Sequence, residues 1–225
     1  MSTLSRYRAL VTEKLAQSST TFHTKESRDD AINEAVGTIA EQYEIPELIV
    51  RDVLTWTVAT GGNYATIPAS FFRMHKLWST SSTELGREWT YVTPDEFDSL
   101  ADTSGDYWTE DYRVASSSRV FFLKPTTITS TNIRFQKTPV TMSQASDDSG
   151  ISSHWDEVIA YWACMVLFRN ENDNKAADEF QSFALDAARR TIEGLRKRGG
   201  VKQGERLKSR FEKYSYLNRP GNTIR

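Results

Sequence analysis

Histidines and one run of oxygen-bearing side chains are the groups in this 225-residue chain that could hold a metal ion. His23, His75 and His154 lie far apart, and no cysteine stands at the spacing of a zinc ligand beside them. The run Asn170–Asn174 has the oxygen density of a calcium loop but lacks the glycine and the final glutamate that complete one. We therefore expect no metal site and interpret this run as a turn between helices.

Signatures of catalysis and of nucleotide binding are also missing. The sequence has no GxxxxGK(S/T), GxGxxG or GxSxG motif, and a tight turn explains the pair Gly61-Gly62. Three acidic pairs lie where helix starts and loops favour carboxylates, so they do not indicate general acid and base chemistry. These pairs are Asp29-Asp30, Asp95-Glu96 and Asp147-Asp148. The single cysteine, Cys164, has apolar neighbours that predict a buried thiol. We expect no catalytic residue and no cofactor.

Positive charge is concentrated at the carboxy-terminal end. Residues 189–225 contain twelve Lys or Arg and three acidic residues, a net charge of +9, whereas the whole chain carries −2. The preceding residues 1–188 therefore carry −11. Such asymmetry indicates that one end binds a partner of opposite charge, either nucleic acid or an acidic protein surface. A basic helix face in solvent, followed by a tail, is the simpler alternative.

Residues 1–54 are predicted to be helical. Apolar residues recur at helical spacing in two segments, first Leu4, Tyr7, Val11 and Leu15, then Ile32, Val36, Ile39 and Tyr43. Ser27, with Asp30 three residues on, resembles a capping box and predicts a second helix over about residues 27–43. Pro46 indicates a short third helix through Leu54, although the β-branched residues there support a strand nearly as well.

Residues 55–142 are predicted to form an inserted antiparallel β domain, because short β-rich runs alternate there with turn residues. The runs are Met74–Trp78, Glu88–Val92, Tyr112–Ala115, Val120–Leu123 and Ile133–Gln136. Residues 61–63 predict a hairpin turn, and Thr93–Phe97 predicts a capped helical turn. The domain is small for the tryptophans it contains, so some of them should face a neighbouring molecule. They are Trp56, Trp78, Trp89 and Trp108.

Residues 143–198 are predicted to hold two long helices after a polar loop. The first, starting near Trp155, is apolar around much of its circumference and should be the most buried helix. The second ends at Gly199-Gly200. The sequence therefore predicts an α+β fold, in which the amino-terminal helices pack on the two long helices, a β domain is inserted, and residues 199–225 form an extended basic arm.

Composition excludes several classes of protein. With 38% apolar and 12% aromatic residues, the chain can bury a core. It has no apolar run of about 18 residues, and no apolar stretch follows the charges near its start. We therefore expect neither a membrane span nor a signal peptide, and a protein that is made in the cytoplasm.

Several short stretches resemble one family of viral proteins. They are INEA at 32–35, TIPASFFRM at 66–74, FFLKP at 121–125, IRFQKTPV at 133–140 and HWDEVIAYWA at 154–163. Together with the order of helices, β region, helices and basic arm, they resemble the head-to-tail adaptor proteins of tailed bacteriophages, also called neck or connector proteins. The resemblance covers about residues 4–198, and residues 79–112 depart from it.

This resemblance implies a structural virion protein without enzymatic activity. In that family, a helical bundle with an inserted β domain assembles as a ring, usually of twelve subunits, beneath the portal. The ring extends the DNA channel and provides the attachment surface for the tail. It is located in the virion neck, where tail or neck proteins bind the β domain, DNA passes through the lumen without sequence-specific binding, and no membrane is contacted.

The resemblance also implies a role for the arm, because such adaptors typically extend their carboxy-terminal residues along the portal. Gly199 and Gly200 would act as a hinge, basic side chains would pair with portal acids, and apolar ones would anchor the arm. The implied portal-binding residues are Arg206, Lys208, Arg210, Phe211, Tyr214, Tyr216 and Leu217. Because residues 201–225 have few apolar side chains to offset the entropy of ordering, we expect the partner to order them.

Two other functions stay open from the sequence. A nucleic-acid-binding protein would place the same arm on phosphates, and its affinity would fall steeply with salt. A tail-associated hydrolase acting on cell-wall polymer would need a pair of carboxylates near the β region, and the acidic pairs above are explained by capping and loops.

Overall fold

A computed structural model describes residues 1–16, 23–58, 63–80, 88–101, 105–113, 118–124 and 128–198. The chain divides into two compact units. The helical unit comprises residues 1–48 together with those from 138 onward, and the β unit comprises residues 49–137. Both boundaries lie earlier in the chain than the predicted ones at 54/55 and 142/143.

The chain is α+β, as predicted, with helices and two sheets. The helices are α1 (Leu4–Ala16), α2 (Lys25–Gln42), α3 (Pro94–Ser99), α4 (Asp156–Asn170) and α5 (Asn174–Arg198). The strands are β1 (Ile49–Thr55), β2 (Asn63–Thr66), β3 (Phe71–Ser79), β4 (Thr90–Tyr91), β5 (Tyr107–Arg113), β6 (Ser118–Lys124) and β7 (Ser130–Lys137). Among the described residues, no helix is long and apolar enough to cross a membrane.

Helix α4 is the centre of the helical unit, and α1, α2 and α5 all pack against it. Eleven of its fifteen residues are buried, because it is apolar on every side and has neighbours on several of them. This confirms the prediction that α4 is the most buried helix. The main contacts of α1 and α2 are with α4 and with each other, so their apolar stripes are covered chiefly by α4 rather than by α5.

Helix α2 begins earlier than predicted, at Lys25, and its N-cap is Thr24 rather than Ser27. The Thr24 hydroxyl accepts a hydrogen bond from the Ser27 N–H at 3.1 Å. The Ser27 hydroxyl donates to the Thr24 carbonyl oxygen at 3.1 Å, so Ser27 lies in the first helical turn. The prediction of Ser27 was wrong because both residues are good caps, and the acid three positions on favoured the later one.

A polar segment before α4 holds the start of the chain in place. The Leu4 N–H donates to the Asp147 carbonyl oxygen at 2.9 Å. The Asp147 carboxylate accepts the N–H groups of Ser143 and Gln144 at 2.8 and 2.7 Å. The Tyr7 hydroxyl lies 3.2 Å from the Ser149 hydroxyl in the core. These bonds fix the segment against α1, which explains how a polar loop can lie beside a packed helix.

The residues after Pro46 form a 3-10 turn, Pro46–Leu48, and then strand β1, which decides the alternative left open there in favour of the strand. The predicted hairpin is only partly formed. Thr57 and Tyr64 make an isolated antiparallel bridge, but β1 and β2 belong to different sheets. Residues 61 and 62 of the predicted turn lie outside the described ranges, and Asn63 is the first residue of β2.

The β unit has one sheet in the order β1-β7-β3 and a second in the order β2-β6-β5-β4. The second sheet is mixed, since β4 pairs parallel to β5 through Thr90 with Tyr107 and Tyr91 with Trp108. The prediction of a purely antiparallel domain is therefore wrong at this edge. In the chain, helix α3 lies between β4 and β5. A crossover connection of this kind allows the two strands to run parallel.

Three of the four tryptophans in the β unit are buried in its own core. Trp56 and Trp89 are 3% exposed and Trp108 is 7% exposed, whereas Trp78 is only partly buried. The expectation that several of them face a neighbouring molecule was wrong for these three, because residues of both sheets contribute to one hydrophobic cluster that contains them. The Trp56 indole N–H is satisfied by the Thr131 hydroxyl at 2.9 Å.

Helix α3 has the predicted cap. The Thr93 hydroxyl accepts the Glu96 N–H, and the Glu96 carboxylate accepts the Thr93 N–H at 3.1 Å, with Pro94 as the first helical residue. At the other end, the buried Lys124 ammonium donates to the carbonyl oxygens of Phe97 and Leu100. This lysine therefore caps the carboxy-terminal end of α3, the helix that connects β4 to β5.

Candidate assembly surface

Helix α5 has one buried face and one exposed face. Four alanines and one phenylalanine, at three- and four-residue spacing, form the buried face: Ala177, Phe180, Ala184, Ala187 and Ala188. Small side chains at these positions let α5 approach α4 closely. The exposed face is not purely polar, since Phe183 is 42% exposed and Leu185 is 38% exposed.

Aromatic rings lead from the core of the helical unit to its surface. Phe168 and Phe180 are stacked at 5.3 Å between ring centroids. Phe180 meets Phe183 edge-on at 6.1 Å, and Phe183 lies 5.6 Å from Tyr161. The Lys14 ammonium lies 4.7 Å above the Tyr161 ring, a cation–π distance. Phe183 therefore packs against the inner rings on one side and is exposed to solvent on the other.

Charged side chains of both signs surround these outer rings. A groove between α4 and α5, which we call the aromatic groove, is lined by Glu157, Tyr161, Phe183, Asp186, Arg189 and Arg190. Arg190 pairs with Glu157 across the two helices at 3.5 Å, and Arg189 pairs with Asp186 at 3.3 Å. An uncovered aromatic centre with a charged rim is the composition of a protein-binding surface.

A second concave surface lies in the β unit, between β3 and the β4–β5 edge. Its lining combines the cationic Arg73 and the acidic Glu88 and Glu110 with aromatic side chains. The indole nitrogen of Trp89 is buried there and has no hydrogen-bond partner in the described part of the chain. A polar partner group could satisfy this donor, so the cleft is a second candidate contact surface.

The histidines and the cysteine belong to different surroundings. His23 contacts Glu171 at 3.3 Å in the helical unit, and His75 lies in the β unit. Burial raises the pKa of the Cys164 thiol to about 12, far above the range of a reactive thiolate. Within the described ranges, no three His, Cys, Asp or Glu side chains form a group that could hold a metal ion.

The segment between α4 and α5 forms a tight turn and a helix cap. Asn172 has a positive φ of 63°, and the Asp173 carboxylate accepts the Ala176 N–H at 3.1 Å at the start of α5. This confirms the interpretation of Asn170–Asn174 as an inter-helix turn. An asparagine is well suited to the left-handed conformation that the turn requires.

The predicted portal-binding residues and hinge lie outside the described residues. They are Gly199, Gly200, Arg206, Lys208, Arg210, Phe211, Tyr214, Tyr216 and Leu217. The aromatic groove, by contrast, was not predicted from the sequence. Its signal was the presence of Phe183 and Leu185 on the otherwise polar face of an amphipathic helix, which alone does not show that a ring from α4 lies beside them.

Comparison with known proteins identifies the family. A search of curated proteins found no match. A comparison with protein families matched residues 6–206 to the family described as SU10 adaptor protein. The matched segment contains the β unit and nearly all of the described helical unit. The chain therefore belongs to the SU10 adaptor protein family, a family of phage head-to-tail adaptors.

Proposed function

We propose that this protein is the subunit of a homo-oligomeric ring, of twelve copies, that docks beneath the portal, extends the DNA channel and provides the attachment surface for the tail. The observation that carries this proposal is the family match over residues 6–206. An adaptor family has a structural role in the virion neck, is typically non-enzymatic, and implies association with portal and tail proteins. The number twelve comes from the adaptors that the sequence resembles.

We assign the portal contact to the carboxy-terminal arm. Residues 199–225 begin with two glycines and carry a high density of positive charge with a few aromatic side chains. Aromatic and arginine side chains are the usual anchors of protein interfaces, and complementary charge speeds and orients docking. The arm therefore suits an acidic groove on the portal, with Phe211, Tyr214 and Tyr216 as apolar anchors.

We assign the tail or neck contact to the β unit. Its cleft between β3 and the β4–β5 edge has a buried indole donor, Trp89, and charged groups of both signs at its margin. Tail partners differ between phages, and a cleft lined by side chains on short strands and loops can change without disturbing the helical core. Residues 79–112, which depart from the resemblance, contribute to this cleft.

Charge supports the passage of DNA through the ring. Residues 1–188 carry −11, so a lumen lined by this part of the chain would repel the phosphate backbone rather than bind it. DNA could then move through the channel without being held, provided that the basic arm is engaged on the portal.

The test is assembly on portal-containing heads. Purified protein is added to heads with and without a portal, and the particles are imaged by electron microscopy. We expect a ring of density beneath the portal and none on portal-free heads. A protein that leaves heads bare while binding duplex DNA with a steep salt dependence would overturn the adaptor ring and favour the nucleic-acid-binding alternative.

A further inference from the structure

We propose that neighbouring subunits of the ring contact each other through the aromatic groove of one copy and an acidic stripe on α2 of the next. The acidic stripe consists of Glu26, Asp30, Glu34 and Glu41, with Gly37 among them. The inference rests on the proposed ring and identifies the two surfaces that would close it.

The acidic stripe is exposed to solvent. Its four carboxylates are separated by four, four and seven residues, which places them on one face of α2. Within the described ranges none of the four has an ion pair, whereas the neighbouring Asp29 forms two 2.6 Å hydrogen bonds with the Arg8 guanidinium. Like charges four residues apart destabilise a helix, so a basic partner would relieve this repulsion.

Gly37 makes a notch in the middle of the stripe. It lies inside α2, and a Cβ atom added there would meet no heavy atom of the described residues within 4 Å. The helical unit itself therefore has no steric need for a glycine at this position. Glycine destabilises a helix interior relative to alanine, and a second molecule that approaches the helix closely would account for its presence here.

The aromatic groove has the complementary features. Phe183 is an apolar side chain with 42% of its surface uncovered, which is suited to filling a notch. The Arg189 and Arg190 side chains on the same helix are 73% and 67% exposed. Their pairs with Asp186 and Glu157 are surface ion pairs, which contribute little and can be exchanged for carboxylates of a second copy.

The two surfaces lie on different helices of one subunit, so the contact is heterologous. Phe183 of one copy would pack over Gly37 of the next, with the arginines beside Glu34 and Glu41. A heterologous contact repeats from copy to copy and closes into a ring when its rotation permits. It therefore suits a ring better than a symmetric dimer.

The apolar part of the contact is tested with a matched pair of variants. Phe183→Ser and Leu185→Ser each remove one partly exposed apolar side chain from α5, but only Phe183 lines the groove. Ring formation on portal-containing heads, and self-association of the free protein by mass photometry, should be weakened about tenfold or more by Phe183→Ser only. Equal assembly by the two variants would overturn the inference.

The charged part is tested by reversal and rescue. Glu34→Lys with Glu41→Lys should abolish assembly, and adding Arg189→Glu with Arg190→Glu in the same chain should restore it. The control, Asp178→Lys with Glu179→Lys, reverses two exposed acids on α5 that do not line the groove and should assemble normally. Failure of the rescue in a protein whose circular dichroism is unchanged would contradict the pairing of these two surfaces.

Gly37→Ala separates assembly from folding. Alanine should raise the melting temperature by about 2 to 4 °C because it favours the helix, and it should weaken ring formation because it fills the notch. A more stable subunit that assembles as well as the original would exclude the notch. If the unchanged protein forms no ring on portals, the proposed function itself fails; if it forms rings that all these variants also form, only this inference fails.

Discussion

At the scale of single residues, Cys164 shows how burial decides chemistry. Its sulfur lies on α4 with the Val11 carbonyl oxygen of α1 4.0 Å away, and desolvation raises its pKa to about 12 while Lys14 opposes the rise slightly. Only the thiolate attacks thiol reagents. We expect no reaction with Ellman's reagent at about pH 8 in the native state and one equivalent after unfolding in guanidinium. Rapid labelling of the native protein would show that α1 opens from α4.

Asp147 makes the segment before α4 sensitive to acid. The N–H groups of Gln144 and Ser143 lower the pKa of its carboxyl below the ordinary value of 3.8. A lowered folded-state pKa gives stability that is present above the unfolded value and is lost as the pH falls through the folded one. Asp147→Asn should therefore lower the melting temperature at about pH 7, and the difference should shrink as the pH falls below the ordinary carboxyl value of 3.8.

The control for this prediction is Asp178→Asn, which changes an exposed acid on α5. Its melting temperature should follow that of the unchanged protein at every pH. A deficit in Asp147→Asn that stays constant down to low pH would assign the loss to the shape of the side chain and not to its charge.

Predictions for single residues were correct where the interacting groups are close in sequence. The cap at Thr93 was predicted correctly because its partners lie within three residues. The choice between Thr24 and Ser27 was wrong because the two residues differ little in local preference. Burial of Trp89 and Trp108 was underestimated, since it depends on how residues of two sheets come together in one core.

At the scale of elements, α4 and α5 carry the stability of the helical unit. Trp162 is 5% exposed and Phe180 is 7% exposed in the same hydrophobic cluster. Trp162→Ala or Phe180→Ala should each cost about 3 to 5 kcal/mol of unfolding free energy, through lost burial and the cavity left behind. The measurement is chemical denaturation followed by circular dichroism.

Phe183→Ala is the matched control for that prediction, because Phe183 belongs to the same series of rings but is 42% exposed. Its truncation should cost less than about 1 kcal/mol, as expected for a side chain near the surface. An unchanged denaturation midpoint for Trp162→Ala would show that Trp162 does not contribute to the core and would contradict the burial of α4.

Elements were predictable from the sequence where periodicity is local and strong. The apolar spacing in α1, α2, α4 and α5 was sufficient because each stripe repeats over several turns. Strand β1 was left undecided because its β-branched residues become a strand by pairing with β7, far along the chain. The parallel pairing of β4 with β5 also needed a partner and a crossover that the periodicity of β4, with only two residues, cannot show.

At the scale of the whole molecule, the order of parts indicated more about function than any local motif. The family resemblance followed from helices, β region, helices and basic arm together with dispersed short stretches, and the match over residues 6–206 confirms the family. The aromatic groove was not predictable, because it requires Tyr161 on α4 and Phe183 on α5 to meet. Its partner surface required knowledge that, among the described residues, none comes within 4 Å of a Cβ atom added at Gly37.

The last prediction concerns the arm. Deleting residues 201–225 should leave the melting temperature of the subunit nearly unchanged, because the chain up to α5 contains both described hydrophobic clusters, and it should abolish attachment to portal-containing heads. Reversing Arg206, Lys208 and Arg210 to Glu should weaken attachment, and more so at low salt, where opposite charges attract most. Reversing Lys175, exposed at the start of α5, is the control and should have no effect. A truncated protein that joins heads as well as the full chain would place the portal contact on the folded units, and the basic arm would then need another partner, of which DNA is the first to test by the salt dependence of binding.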